Sequence, residues 1–484
     1  MEEKVSLNRK GYTQQSIKFL KSALTKDNIF IDTPSVIDWL KGQNRKVNVN
    51  VTRIRFEKLD LWHFDNLSLR HSTGKFFSID GIKIDTNLSP ISSWSQPIIN
   101  QPEIGYLGFI TKEFNGVLYF LMQAKIEPGN VNYVQLSPTL QATKSNYTRE
   151  HKGKAPAYLE YFQKVHADDI LLDQLQSEQG GRFFKKRNRN IIIKVDGDIE
   201  VLDNFVWLTL SQIKELMKMD NLVNMDTRTV VSGIPYGDYS AESINLLTFL
   251  DDPLEYGSIS KKMLESYLNE DNHFNTFNDV LSFITRLKCN FELNVTQVPL
   301  SELDQWKITD STIEHIDNKY FKVIATEVEI SNREVMKWSQ PMIEPAQQGL
   351  CAFVCKEING ILHFIVQAKL ECGNFDIIEL APTVQCLTGN YNNEKSIHKL
   401  PFLNYVLNAD KQKILFDVFQ SEEGGRFYKE QNRNMIIMAG EELSLELPDN
   451  YIWMTLNQLQ KFIQFNNYIN IQARSLIAAI SFIK

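Results

Sequence analysis

Two β-rich apolar runs meet at Asn115-Gly116, and the pattern predicts a hairpin over residues 107–124 closed by a tight turn. Asn359-Gly360 stands between a similar pair of runs further along, as a second copy of that turn requires. Val47–Arg55 alternates apolar and polar residues, which predicts a strand, and Val131–Leu136 and Ile191–Lys194 predict two more. Ser35–Leu40, with Thr33-Pro34 at its start, has helical spacing, as do Tyr158–His166 and Ser211–Met219. Antiparallel strands accompanied by a few helices make an α+β module.

The pattern occurs twice. Trp94-Ser95-Gln96-Pro97 returns as Trp338-Ser339-Gln340-Pro341, and the same offset carries Gln123-Ala124-Lys125 onto Gln367-Ala368-Lys369. It also carries Asn146-Tyr147 onto Asn390-Tyr391, and Gly180-Gly181-Arg182-Phe183 onto Gly424-Gly425-Arg426-Phe427. After a short insertion, Trp207 pairs with Trp453 and Arg228 with Arg474. At this length the repeat means two domain-sized modules, not a solenoid of short units. The expected division is a first module over 1–234, a Gly-, Pro- and Asp-containing linker over 235–258, and a second module over 259–484.

Composition narrows the function classes. A net charge of -7 disfavours a nucleic-acid footprint, although a basic pocket can sit inside an acidic protein. No apolar run approaches the ~20 residues that span a bilayer, and the first residues lack the apolar core of a signal peptide, so the expectation is a cytoplasmic chain. The five cysteines form no C-x-x-C pair, which disfavours a disulfide framework or a zinc site. Dinucleotide-binding and P-loop glycine patterns, H-E-x-x-H and G-x-S-x-G are absent too.

Two polar constellations remain, each present in both copies. In the extended Gln123-x-Lys125-x-Glu127, the three polar side chains share one face, because strand side chains alternate. They form either a solvated face or a row lining a cleft; Gln367, Lys369 and Glu371 repeat it. Asn130, Ser137, Thr139, Gln141, Asn146 and Tyr147 follow, with Thr383, Asn390 and Tyr391 in the second copy. The second constellation is Glu178-Gln179-Gly180-Gly181-Arg182, leading to Asn188-Arg189-Asn190. Paired glycines permit close backbone approach, and an adjacent Arg suits a phosphate. Glu422, Arg426 and Arg433 repeat this set, whereas Lys185–Arg187 is matched by Lys429-Glu430-Gln431 and reads as a basic surface loop. Trp94 and Trp207, with their copies, either stack on a ligand or belong to the core.

Trp94-x-Gln96-Pro97, Gly105-x-Leu107-Gly108-Phe109, QAKIEPGNVNYVQLSPTLQATKSNYT and LQSEQGGRFFKKRNRN resemble the signature blocks of the NDP-hexose 2,3-dehydratases. Val384-Gln385-Cys386 and SEEGGRFY resemble that family's second half. The resemblance implies a duplicated Nudix-like fold without the metal-binding Nudix box, a homodimer, and no metal or redox cofactor. It further implies that the substrate is a dTDP-linked 4-keto-6-deoxyhexose, dehydrated by a hydro-lyase whose product passes to a 3-ketoreductase or aminotransferase. Glu127, Glu178 and Tyr147 are then the candidates for proton transfer, with Lys125 as donor to the C4 oxygen. Arg182 and Arg189 would meet the diphosphate, and Trp94, Gln96, Gln123, Asn130, Ser137, Thr139, Gln141, Asn146, Asn188 and Asn190 the sugar or base. The first module, which has Ser137 where the second has Ala381, is the expected catalytic half. The alternatives are a Nudix-type nucleotide-sugar pyrophosphatase and a non-catalytic nucleotide-sugar binding protein.

Overall fold

A computed structural model describes residues 14–88, 91–147, 155–237, 258–331, 336–391 and 400–483. Most of the expected linker, 238–257, lies outside the described residues. The predicted hairpin forms from strands Gly105–Phe114 and Val117–Ile126. Asn115 and Gly116 both take positive φ, 50° and 74°, as do Asn359 and Gly360 at 52° and 81°. Glycine and asparagine reach this region at little steric cost, and a two-residue turn between twisted strands requires it.

Each hairpin lies in a seven-stranded mixed sheet. In the first, the strand order is Ile170–Ser177, Arg187–Lys194, Gly105–Phe114, Val117–Ile126 and Phe205–Thr209, with Val134–Ser137 and Leu140–Ala142 pairing onto the hairpin. Arg187–Lys194 runs parallel to Gly105–Phe114, and Gln431–Met438 runs parallel to Gly349–Ile358 in the twin sheet. The predicted strand over 131–136 starts only at Val134, since Tyr133 has a φ of 62° and breaks the extended run. Helix Thr33–Arg45 outruns its predicted span and is capped by Asp32. Leu159–Gln163 is shorter than its prediction.

Two smaller sheets, antiparallel except where Phe183–Phe184 runs parallel to Ser93–Asn100, join the repeats. Strand Val49–Ile54 pairs not with its own half but with Phe321–Ile330, placing Val51 opposite Val328. Its repeat counterpart, Leu293–Val298, returns the exchange by pairing with Ser78–Thr86. The expected division at 234/259 therefore describes the duplication in the chain, while each small sheet draws strands from both sides of it. One continuous core contains Phe109, Phe120 and Leu136 together with Phe353, Phe364 and Leu380. Between the small sheets, Trp62, Phe77 and Phe183 pack with Leu300, Phe321 and Phe427.

Two buried arginines tie the halves by polar contact. Arg228, on helix Met225–Ser232, donates to the Gln420 side chain, to Ser475 Oγ at 2.9 Å and to the Ser421 carbonyl. Arg474, its counterpart on helix Ile471–Ala479, donates to Gln176 Oε1 at 2.8 Å and to the Ser177 carbonyl. Burial lowers both guanidinium pKa values to about 10, against the pull of Glu422 on Arg228 and of Glu379 and Glu178 on Arg474. Substituting Arg474 by Met leaves buried acceptors unpaired and is expected to destabilise the chain by about 3 kcal/mol or more. Equilibrium denaturation checks this; an unchanged midpoint would show that the contacts carry no weight.

Candidate active site

The Gly-Gly segment of each repeat docks on the other repeat. Gly129 N donates to the Gly424 carbonyl at 2.8 Å, and Lys429 N donates to the Gly129 carbonyl at 2.6 Å. The reciprocal pair is Gly373 N to the Gly180 carbonyl, 2.6 Å, and Lys185 N to the Gly373 carbonyl, 2.8 Å. A Cβ on Gly129 would stand 1.7 Å from the Phe427 carbonyl oxygen, and one on Gly373 would stand 1.8 Å from that of Phe183. Backbones this close leave room only for glycine. Each Trp-Ser-Gln-Pro motif braces one of these loops: Gln340 donates to the Gly425 carbonyl at 2.9 Å and accepts from the Trp338 indole at 3.1 Å. Gln96, held by Trp94, grips the Gly181 carbonyl at 3.0 Å in the same way.

This docking makes two composite polar sites. A cavity of about 250 Å³ is lined by Lys369, Glu371, Gln385, Asn390, Glu430, Asn432 and Gln472 of the second repeat and by Gln179, Gly181 and Arg182 of the first. Buried Glu371 Oε2, Glu430 Oε2, Gln472 Oε1 and Arg182 Nε have no protein hydrogen-bond partner there. Glu371 accepts from Gln385 Nε2 at 3.0 Å, and Asn470 steadies Gln385 at 2.7 Å.

The twin site combines the first repeat's residues with the second repeat's loop. Glu127 is buried, with Oε1 accepting from Gln141 at 2.8 Å and Oε2 from Asn130 at 3.3 Å. Asn224, which caps the helix carrying Asp226, donates to Gln141 Oε1 at 3.0 Å. Lys125 Nζ reaches the Gln141 carbonyl at 3.3 Å. Glu178 accepts from Asn188 Nδ2 at 2.6 Å, and Lys186 donates to the Glu103 carbonyl. Arg426 enters from the other repeat, its guanidinium 4.2 Å from the Phe77 ring centre and its Nε 3.1 Å from Gln101 Oε1. Burial, then the neighbouring Glu423, pushes the Glu178 carboxyl up to about 8. Asp226 rises well above the ordinary range, through burial and then the charges of Glu423, Glu127 and Glu178. Burial lowers Lys186.

The ionisable complement differs between the sites although the scaffold does not. Where the first has Glu423, Asp226 and Lys186, the second has Gln179, Gln472 and Glu430 at the repeat-equivalent positions. Two titrating carboxyls have become amides, and a base has become an acid.

The NDP-hexose 2,3-dehydratase family matches this chain twice, over residues 33–234 and 277–480. The chain belongs to that family. A dTDP-4-dehydro-6-deoxy-alpha-D-glucopyranose 2,3-dehydratase of Saccharopolyspora spinosa is 43% identical over 465 residues, covering 96% of this chain and 94% of the relative. Proteins of the same name from Amycolatopsis orientalis and Streptomyces violaceoruber are each 40% identical. The first of these alignments covers 95% of this chain and 92% of the relative; the second covers 93% and 97%.

In this family member the residues singled out from sequence separate into groups. Lys125, Glu127, Asn130, Gln141, Glu178 and Asn188 come together at the first site, with Arg426 of the second repeat. Arg182, Lys369, Glu371 and Asn390 line the second-repeat cavity, and Glu422, which accepts from Gln179 and Asn432, belongs with them. Trp94 and Gln96 brace the loop serving that second cavity. Arg189 is held by Asp173 through two bonds of 2.7 and 2.6 Å, and Arg433 is held by Asp417 in the same manner, so sheet-edge carboxylates already occupy both guanidiniums. Thr139 and Thr383 are buried latches between hairpin strands, each accepting from a backbone N–H at 2.9 Å. Ser137 is buried against the Pro138 carbonyl. Asn190 Nδ2 donates to Thr229 Oγ1 at 3.2 Å. Gln123 sits opposite Ser137 and Phe205 in the sheet. Tyr147 turns its hydroxyl to the Ile104 carbonyl at 3.4 Å, beside exposed Asn146. The side chain of Tyr391 lies outside the described residues.

Sequence reasoning missed Asp226, Glu423 and Lys186. Lys186, which the sequence places in a basic surface loop, is buried. Their signal in the sequence is the difference between the copies at equivalent positions, not what the copies share. If the first site is the one that turns over in this dehydratase, Gln340→Ala should raise KM about tenfold, the equivalent of roughly 1.4 kcal/mol from one lost hydrogen bond. Gln96→Ala should leave KM unchanged, and steady-state kinetics of the two variants would reverse this order if the second cavity reacts.

Proposed function

We propose that this chain removes water across C2 and C3 of a dTDP-linked 4-keto-6-deoxyhexose, and that it does so at the site containing Glu127, Glu178 and Glu423. The three relatives carry this dehydration in their names. The observation that supports the choice of site is that Glu423 and Asp226 are carboxyl groups there, while the repeat-equivalent Gln179 and Gln472 of the twin are amides. A nucleotide-sugar substrate suits a cytoplasmic enzyme, and we assign each module a Nudix-like architecture on the mixed sheet with its parallel strand pair. A homodimer, and hand-over of the product to a 3-ketoreductase or aminotransferase, belong to the same reading.

The C4 ketone acidifies the hydrogen on C3. Glu127, positioned by Gln141 and Asn130, takes that proton and leaves an enolate. Lys125, close by at the Gln141 carbonyl, is the donor that steadies charge on the C4 oxygen. Loss of the C2 hydroxyl as water gives an enol, which tautomerises to the 3,4-diketo-2,6-dideoxy sugar. The overall change is redox-neutral, so no external hydride enters the balance.

Incubation with dTDP-4-keto-6-deoxyglucose, a 3-ketoreductase and NADPH is expected to yield a 2-deoxy sugar nucleotide. Release of dTMP in the presence of Mg²⁺ without a deoxy product would favour pyrophosphate hydrolysis instead. Glu127→Gln should lower turnover by about 100-fold or more while ligand binding persists in calorimetry; a fully active variant would remove Glu127 from the mechanism.

A further inference from the structure

In the second site Gln179 donates its amide N–H to the Glu422 carboxylate. The repeat-equivalent residues of the first site are Glu423 and Glu178. By that equivalence the first site sets two carboxyl groups where the second sets an amide and a carboxylate, and the charge of Glu423 acts on Glu178. Two ionised carboxylates side by side away from water repel strongly, and one proton held between them turns the contact into an O–H···O⁻ bond. Glu178 is buried against Asn188, while Glu423 is only half-buried, so the pair has an inner and an outer member. The groups facing the pair are Lys186, Arg426, Arg474, Glu103, Glu127 and Asp226.

We infer that Glu178 and Glu423, one from each repeat, hold a single proton between them and deliver it to the C2 hydroxyl as it leaves, Glu423 being the member that meets the substrate. The inference rests on the dehydratase reading above. After Glu127 has taken the C3 proton, the enolate electrons return to rebuild the C4 carbonyl. The former C3–H pair becomes the C2–C3 double bond, and the C2–O bond breaks with its electrons on oxygen. That oxygen takes the shared proton and departs as water, leaving the pair doubly ionised beside Lys186 and Arg426. The proton on Glu127 passes through solvent to recharge the pair, so atoms and charge balance over one turnover. The pair acts in its protonated form, which is present below the raised pKa of Glu178, about 8, and is lost as pH rises through it.

The test separates proton removal at C3 from departure at C2. Glu423→Gln recreates in the first site the amide–carboxylate bond that the second site already holds, so the fold has a precedent for it. In D₂O the variant is expected to keep exchanging the C3 hydrogen of the substrate, read by mass spectrometry, at close to the wild-type rate. Dehydration by the same variant should fall by about 100-fold or more. With the neighbouring charge gone, the alkaline limb of the remaining activity should move about one pH unit lower. Glu423→Asp, which keeps a carboxyl, should recover part of the dehydration rate. Undiminished dehydration by Glu423→Gln, or loss of C3 exchange in step with dehydration, overturns the shared-proton role. Wild-type enzyme that neither exchanges nor dehydrates would sink the dehydratase reading itself.

Discussion

A guanidinium buried away from water must find its acceptors in protein, and Arg228 and Arg474 find most of theirs in the opposite repeat. Their acceptors, Gln420-Ser421 and Gln176-Ser177, immediately precede the two glutamate-bearing Gly-Gly segments. Each arginine therefore sets where the other repeat's loop begins, and the glycine docking at Gly129 and Gly373 sets where it runs. With those fixed, neighbouring residues of one loop are divided between two sites. Glu178 lies at the first and Gln179 at the second, while Glu422 lies at the second and Glu423 at the first. Neither site is complete in one repeat.

The two sites show how the same backbone supports different chemistry. Hydrogen bonds that aim the side chains are kept in both, including the amide that holds Glu127 or Glu371 and the asparagine that holds Glu178 or Glu422. What changes is which groups titrate. Burial raises carboxyl pKa values in both sites, but only the first sets Glu178, Glu423 and Asp226 against one another. An amide in place of a carboxyl preserves shape and hydrogen bonding while removing the exchangeable proton. Binding can outlast such a change; proton transfer cannot.

The repeat, the Asn-Gly hairpins and the α+β class were legible in the chain because they rest on local physics: side-chain periodicity, the φ values open to Asn and Gly, and helix-capping residues. Lys125, Glu127 and Glu178 were also legible, the first two from the alternation of an extended run and Glu178 from its place beside the repeated Gly-Gly pair. Thr139 and Arg189 were plausible on residue type but are taken up by the scaffold, because an intramolecular acceptor or carboxylate at hydrogen-bond distance claims them first. Only the tertiary structure decided that Val49–Ile54 and Leu293–Val298 change places between halves. A strand edge accepts any partner of matching register, and nothing local encodes which half supplies it. It likewise decided that Glu423 belongs with Glu178, whose numbers lie far apart, because long-range packing of one repeat's loop onto the other brings them together. The sequence determined which residues can carry a proton; the packing between repeats determined which of them share one site.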